Sequence, residues 1–546
     1  MILPRPSRLF LLSAVLLATV VLVFLLHPRS GDVSRDLLNS WLTSPPPALC
    51  PSPHVLERDA IEHERQLCHS LPAILEEFQA ELCYEPALPS AFTFRIRRGD
   101  SSTCEIAEAS TDPSEEPSLS DWIRQNRGPD SFILTTDGAE RIDTQWSTYE
   151  GNCSYRFDVQ LHNAGDVYIR SWLAYERYEG FSEANATGSL PWPELKLRPL
   201  LAHAVYLPAH SLCRSYIPSP LNASHHLALP GTTNVLDDDS ALPACEGQDP
   251  VRGSYIPHHP LDLLDSPIQW PAPGGRRIGE RYRFVPAGCK WKHSGMRFSN
   301  VTACTEKRRH IYSIGDSHGR QLQDGLIHRL SAMPGVALES GKADFKNGTV
   351  GNVDFFFRWA PFGHLFASAD LLESEVCAYM RKYEVDVLIV SVGYHLAVGH
   401  PTAVFLERTR VIMDAVDRCF EPTLAERDPN RHDMPHAHAH QNFNPYAGPR
   451  VRIMLTPAAP GPLTSDRVRR DNRHTTHNRL RYWADAMVPL ARWRGWSVID
   501  QFALTAPLAW ETLVSDGIHF LMTDAHEALV DEALGKMGIC PDASEY

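Results

Sequence analysis

His310-Ile311-Tyr312-Ser313-Ile314-Gly315-Asp316-Ser317-His318-Gly319-Arg320-Gln321 decides how the carboxyl-terminal half of this chain is read. A mostly apolar run meets Gly-Asp-Ser, and Leu322, Leu326 and Leu330 then recur at i, i+4 and i+8. That spacing predicts a strand, a sharp turn and an amphipathic helix. A serine at such a junction lies at a strand's carboxyl end, with the first helix amides close enough to hold an oxyanion. The plain alternative is a turn serine that merely caps the helix.

A second motif, Asp516-Gly517-Ile518-His519, shifts the balance towards chemistry. It sets a carboxylate and an imidazole three residues apart, within reach of a single turn. Serine is a weak nucleophile until a base takes its proton, and that base works best when a carboxylate fixes its tautomer. Ser317, His519 and Asp516 therefore form a candidate nucleophile, base and orienter. Asp-x-x-His also occurs at Asp433/His436 and Asp471/His474. Only the third copy falls between the last apolar strand candidate, Trp496 to Ile499, and a final amphipathic stretch, Ala525 to Met537.

Around these motifs, apolar runs alternate with helical patterns. Candidate strands are His310 to Ile314, Val353 to Phe357, Val385 to Val392, Val451 to Leu455 and Trp496 to Ile499; helical patterns include Thr402 to Val416 and Asn478 to Arg492. The alternation predicts an α/β domain with a mostly parallel sheet covered on both faces. The histidines at 432, 436, 438 and 440 interrupt it. No fixed element presents them, so a surface insertion is preferred to a metal site. Asp237-Asp238-Asp239 reads as a solvated charge run, and no metal or dinucleotide motif is found.

At 546 residues the chain exceeds one ordinary core, so two domains with linkers are expected. A net charge of −14 and the lack of a basic patch with interleaved aromatics argue against nucleic-acid binding. Leu9 to Leu26 is an uncharged apolar run, about 27 Å long as a helix. Arg5 and Arg8 precede it, which by the positive-inside rule places the tail in the cytosol and the body in a lumen. A cleaved signal peptide is the alternative; the length of the run and the absence of a small-residue cleavage site favour an uncleaved anchor. The 12 cysteines all follow this run and show no paired C-x-x-C spacing, which favours disulfides in an oxidising compartment. Cys289 with Cys304 is the local pairing to test. Sequons at Asn152, Asn185, Asn222, Asn300 and Asn347 agree with that location.

The expected organisation is a tail and anchor over 1–30, a proline-rich stem over 31–90, a small β-sandwich over 91–216, an irregular linker over 217–281 and the α/β domain over 282–546. Within the sandwich, Tyr155 to Leu161 and Val167 to Leu173 read as a hairpin around His162-Asn163-Ala164-Gly165. Its function-free reading is a spacer or glycan-presenting module.

The stretch PAGCKWKHSGMRFSNVTACTEKRRHIYSIGDSHGRQ from Pro286, together with the terminal LVSDGIHF, resembles the PC-esterase branch of the SGNH/GDSL-like superfamily. That branch includes trichome-birefringence-like wall acetyltransferases, fungal capsule O-acetylation proteins and animal neurexophilin and PC-esterase domain proteins. The resemblance runs from near Tyr282 to the end, about half the chain. It implies a three-layer SGNH-like α/β fold with a Ser-His-Asp site that moves or removes acetyl groups on glycans, and an immunoglobulin-like module before it. By position, Ser317 is the nucleophile, His519 the base and Asp516 its orienter; Gly315 makes the turn and Arg320 is the motif arginine, serving the oxyanion or acyl group or pairing with a carboxylate. Where related hydrolases place Gly-x-Asn, this chain has Gly393-Tyr394-His395, which leaves the role of His395 open.

The resulting expectation is a Golgi-type, single-pass type II O-acetyltransferase needing no cofactor. Its acceptor is a glycan or polysaccharide, and a separate multispanning membrane partner supplies the acyl donor. A carbohydrate or small-ester esterase and a non-catalytic adhesion or ligand-binding glycoprotein are the alternatives.

Overall fold

The computed structural model describes residues 67–85, 88–100, 104, 128–138, 140–142, 147–161, 165–176, 198–201, 205–209, 243–245, 247–257, 282–287, 289–291, 307–331, 345–420, 447–461, 475–511, 518–521 and 523–539. Among them no helix is long and apolar enough to cross a membrane, and the expected span Leu9 to Leu26 lies outside them.

The first nine strands are β1 (Leu67–Leu71), β2 (Phe78–Glu85), β3 (Leu88–Arg98), β4 (Ser131–Gly138), β5 (Thr148–Gly151), β6 (Ser154–Gln160), β7 (Gly165–Tyr175), β8 (Arg198–Pro199) and β9 (Val205–Ala209). They form two antiparallel sheets, one ordered β1-β2-β3-β6-β5 and one in which β7 pairs with β4, β8 and β9. Period-two patterning explains the layers. Phe92, Phe94 and Ile96 of β3 and Tyr155, Phe157 and Val159 of β6 point inward from the first sheet, and Val167, Ile169 and Leu173 of β7 meet them from the second. Arg98 ties the layers at their margin, its guanidinium donating to both oxygens of buried Asp130 at 2.9 and 3.0 Å.

Two expectations change here. Strands begin at Leu67, so the stem drawn over 31–90 reaches too far; inward-facing Phe78, Ala80 and Leu82 and the Cys68–Cys83 disulfide build β1 and β2 into the module. The hairpin of Tyr155 to Leu161 with Val167 to Leu173 does not form, because β6 pairs with β3 and β5 whereas β7 joins the other sheet. Both strands still face the shared core, from opposite layers.

The region read as an irregular linker contributes β10 (Gly253–Pro257), which pairs antiparallel with β11 (Tyr282–Pro286). Tyr255 is fully buried and its hydroxyl donates to the Leu504 carbonyl at 2.6 Å, while its backbone exchanges hydrogen bonds with Arg141 at 2.7 and 2.9 Å. Cys289 bonds Cys245, not Cys304, so this disulfide fastens the linker to the start of the α/β domain. Trp291 packs beside it against Phe284.

The α/β domain is built on β12 (Arg309–Gly315), β13 (Phe345–Val350), β14 (Val353–Trp359), β15 (Val387–Ser391), β16 (Val451–Leu455) and β17 (Ser497–Ile499), ordered β13-β14-β12-β15-β16-β17. All neighbours are parallel except β13, which returns antiparallel to β14 through a tight turn at Gly351-Asn352. Every residue of β15 is buried, which requires cover on both faces of the sheet. Helix Ser317–Ser331 packs on helix Asp524–Met537, and helix Thr402–Arg418 packs on helix His477–Trp493 with the Phe405 and Trp483 rings stacked 4.1 Å apart. Leu322, Leu326 and Leu330 are all buried. The protein is thus mixed α/β with a mainly parallel sheet after a two-sheet β module. Its parallel strands follow a doubly wound order, in which the chain leaves the central strand β12 first to β14 and then to β15.

Candidate active site

Reversal of strand order beside β12 opens a crevice at the strands' carboxyl ends, where ligands of doubly wound sheets bind. Residues following β12, β14, β15 and β17 converge there. Gly315 ends β12 with φ +152°, and a Cβ at that position would lie 1.8 Å from the Ser391 carbonyl oxygen at the end of β15. Only glycine lets the two strand ends approach so closely. The contact is locked by polar bonds. The Asp316 amide donates to the Ser391 carbonyl at 2.8 Å, and the Ser391 hydroxyl donates to Asp316 Oδ1 at 2.7 Å. Asp316 Oδ1 also accepts from the His318 amide at 3.0 Å, satisfying one of the helix's orphan N–H groups. Asp316 is therefore a buried brace of the nucleophile turn.

Ser317 opens the helix, and its Oγ lies 2.7 Å from His519 Nε2. Two hundred residues of sequence separate these groups, and the fold brings them within hydrogen-bond distance. His519 is held by its neighbours: Ile518 and Phe520 are buried in the α/β core, whereas the histidine between them is half-buried and faces the serine. Asp516 and Gly517 lie outside the described residues.

His318 is buried beside the pair. Its ring lies 5.4 Å from that of His519 and 5.2 Å from that of Tyr394, and its Nδ1 is 3.1 Å from the Gln501 amide nitrogen. With that amide as donor, the ring's own proton is on Nε2. Gln501 opens the short helix that follows β17, one residue after its cap Asp500, and is itself buried.

Gly393 and His395 sit in the first turn of a short helix, Gly393–Gly399, rather than in an open loop, and Gly393 lets that turn press against Pro457. The His395 ring meets Trp359 and Phe362 edge-on at 5.5 and 5.7 Å. Burial lowers its pKa; the nearby Asp316 carboxylate opposes this shift and His519 adds to it. His395 is therefore neutral at pH 7, able both to donate and to accept, and close enough to feel both site charges. Arg320 is half-buried one turn after Ser317, its guanidinium 5.8 Å from the centre of the Trp359 ring.

Of the candidates, then, Gly315, Ser317, Arg320, Gly393, His395 and His519 gather at one crevice. Asn152 and Asn347 are exposed, as an attached glycan requires; Asn185, Asn222 and Asn300 lie outside the described residues, as do the 432–440 histidines and Asp237 to Asp239. The structure adds Asp316, Ser391, Trp359, Phe362 and Gln501, which sequence reasoning missed. Each follows or ends a strand at its carboxyl side, and that rule was the available signal. One cluster among the described residues has metal-like spacing, Cys68, Glu81 and Cys83, but its two thiols are joined as a disulfide.

No family model matches the chain, and no curated protein matches it. Among solved structures it is similar to Est24, a carbohydrate acetylesterase from Sinorhizobium meliloti, at 14% identity over 42% of this chain and 97% of that one, with a TM-score of 0.26. It is also similar to the native M. smegmatis aryl esterase, at 15% identity over 42% of this chain and 97% of the other, with a TM-score of 0.22. Likenesses this slight carry no inference; the chemistry rests on the Ser317–His519 geometry.

Proposed function

We propose that this chain is an SGNH-type serine O-acyltransferase that moves an acetyl group to a glycan hydroxyl through an acyl-serine at Ser317. The observation that carries the proposal is the 2.7 Å approach of His519 Nε2 to Ser317 Oγ at the crevice of a parallel sheet. His519 takes the hydroxyl proton as Ser317 Oγ attacks the acyl carbonyl, and Asp516 holds the imidazole in the required tautomer. The carbonyl oxygen becomes an oxyanion. Ser317's own amide, unused by the helix ladder at this position, faces it, and the His395 imidazole takes the place usually given to an asparagine. Each such donor is typically worth about 10²–10³ in rate. Collapse expels the donor's leaving group, which receives the proton from His519. In the second half-reaction His519 deprotonates the acceptor hydroxyl, which attacks the acyl-serine; the acyl–Oγ bond breaks, Ser317 Oγ takes the proton back from His519 and the acetylated sugar leaves. Attack by water instead would give hydrolysis.

In this reading Leu9 to Leu26 anchors the protein in a Golgi or related secretory membrane, with the body in the lumen. A separate multispanning protein delivers the acetyl group, and the two-sheet module, of immunoglobulin-like kind, is a spacer. The test is isotope-labelled acetyl transfer by the full chain from vinyl acetate to a neutral polysaccharide such as xylan. Label in the polysaccharide supports transfer and free labelled acetate alone supports an esterase. Turnover that persists in both Ser317→Ala and His519→Ala would remove the site from the chemistry.

A further inference from the structure

The turn after β14 holds an exposed aromatic ring beside His395. The Ala360 amide donates to the Gly315 carbonyl at 2.8 Å, so this turn is tied directly to the nucleophile turn. The Gly363 amide closes it by donating to the Ala360 carbonyl at 2.9 Å, with Gly363 in the left-handed region at φ +63°. Pro361 is buried, and between it and Gly363 the Phe362 side chain stays 43% exposed. Few large apolar side chains among the described residues are exposed; the others are Ile74, Tyr168, Leu371 and Trp493. Phe362 differs from them in its neighbours, because its ring meets the imidazoles of His395 and His400 edge-on at 5.7 and 6.3 Å. His400 is fixed in turn: its amide donates to Leu396 at 3.0 Å and its carbonyl accepts from buried Arg479.

We infer that Phe362 is the stacking floor of a subsite for a pyranose ring, whose rim hydroxyls are bonded by His395 and His400; this rests on the acyl-serine reading of Ser317. A sugar ring presents C–H groups on its face and hydroxyls around its edge. An aromatic floor flanked by groups that donate and accept matches both surfaces at once. A lipid chain would satisfy Phe362 but leave the two imidazoles desolvated and unbonded, which is costly. Arg320, with its guanidinium 5.8 Å from the centre of the Trp359 ring, is a further donor on the nucleophile helix, and among the described residues no carboxylate pairs with it.

The test compares two acetate esters on the full chain: vinyl acetate, which has no ring, and methyl 6-O-acetylglucoside, which presents a pyranose with free ring hydroxyls. Phe362→Ala is expected to lower kcat/KM for methyl 6-O-acetylglucoside at least about tenfold more than for vinyl acetate. Phe362→Trp is expected to restore the sugar ester and Phe362→Leu is not. Equal losses on both esters, or no loss on either, would overturn the subsite. Saturation-transfer NMR of methyl 6-O-acetylglucoside on the Ser317→Ala chain reads ring contact without turnover. Its signal must disappear when Phe362→Ala is added, and persistence would also overturn the subsite. If wild-type protein turns over neither ester but the NMR signal depends on Phe362, the acyl-serine reading fails and the sugar subsite stands.

Discussion

Replacing Gly315 by alanine tests how tightly the nucleophile turn is built. A Cβ there begins 1.8 Å from the Ser391 carbonyl oxygen, and ordinary contact starts near 3.4 Å, so the ends of β12 and β15 must part by about 1.6 Å. Three bonds cross or brace that junction: Asp316 amide to Ser391 carbonyl, Ser391 hydroxyl to Asp316, and Ala360 amide to Gly315 carbonyl. Ser317 is two residues away, and a shift of this size carries its Oγ out of hydrogen-bond reach of His519. Misplacing reacting atoms by about 1 Å costs around 10²-fold, so Gly315→Ala is expected to lose at least that in the acylation rate. Backbone strain at this φ and overpacking together cost about 2–6 kcal/mol of stability, readable by urea unfolding. The assay is single-turnover acetaldehyde release from vinyl acetate, which reads acylation, beside the urea midpoint. A variant that acylates within about threefold of wild type with an unmoved midpoint would show that the two strand ends accept a Cβ without moving Ser317.

Three further outcomes follow from the scaffold. His477 is fully buried edge-on to Phe502, and burial, with the Arg481 charge adding to it, lowers its pKa to about 3. Below about pH 6.5 the unfolded chain takes up a proton there that the folded chain refuses until about pH 3, so stability contributed by this group is lost as pH falls through that window. The slope is about 1.4 kcal/mol per pH unit, and His477→Gln should flatten the decline of Tm between pH 7 and 5 relative to wild type. Removing the Cys377–Cys419 crosslink by a double alanine substitution frees a loop of 42 residues, with an expected loss of about 4 kcal/mol in urea unfolding. Tyr255→Phe leaves the buried Leu504 carbonyl without its 2.6 Å donor and is expected to cost about 1–3 kcal/mol by the same measurement, with acylation unchanged.

What the sequence disclosed follows periodicity and position. Strand Val451–Leu455 and helix Thr402–Arg418 lie where apolar spacing placed them, because each buries a continuous stripe. The serine and histidine were found because each stands at the edge of a strongly patterned element. β1 and β2 were missed because a stem reading was extended past the prolines into Phe78, Ala80 and Leu82, whose alternation is short. β13 was missed although Val350-Gly351-Asn352-Val353 carries a hairpin signal; Phe345–Val350 has few apolar residues because it is an edge strand. The false hairpin between β6 and β7 has a different cause. Alternation gives a strand's inward face but not its partner, and here consecutive strands went to opposite sheets. The Cys289 partner and the Asp316–Ser391 lock were equally hidden, because both join positions distant in sequence.

Peptide mass spectrometry of the full chain, quenched in acid after brief exposure to vinyl acetate, reads directly whether Ser317 carries the acetyl group. The expected result is one acetyl group on the Ser317 hydroxyl, lost when xylan is added and absent in His519→Ala. Acetylation confined to lysines, or a Ser317 adduct that forms equally well without His519, would contradict it.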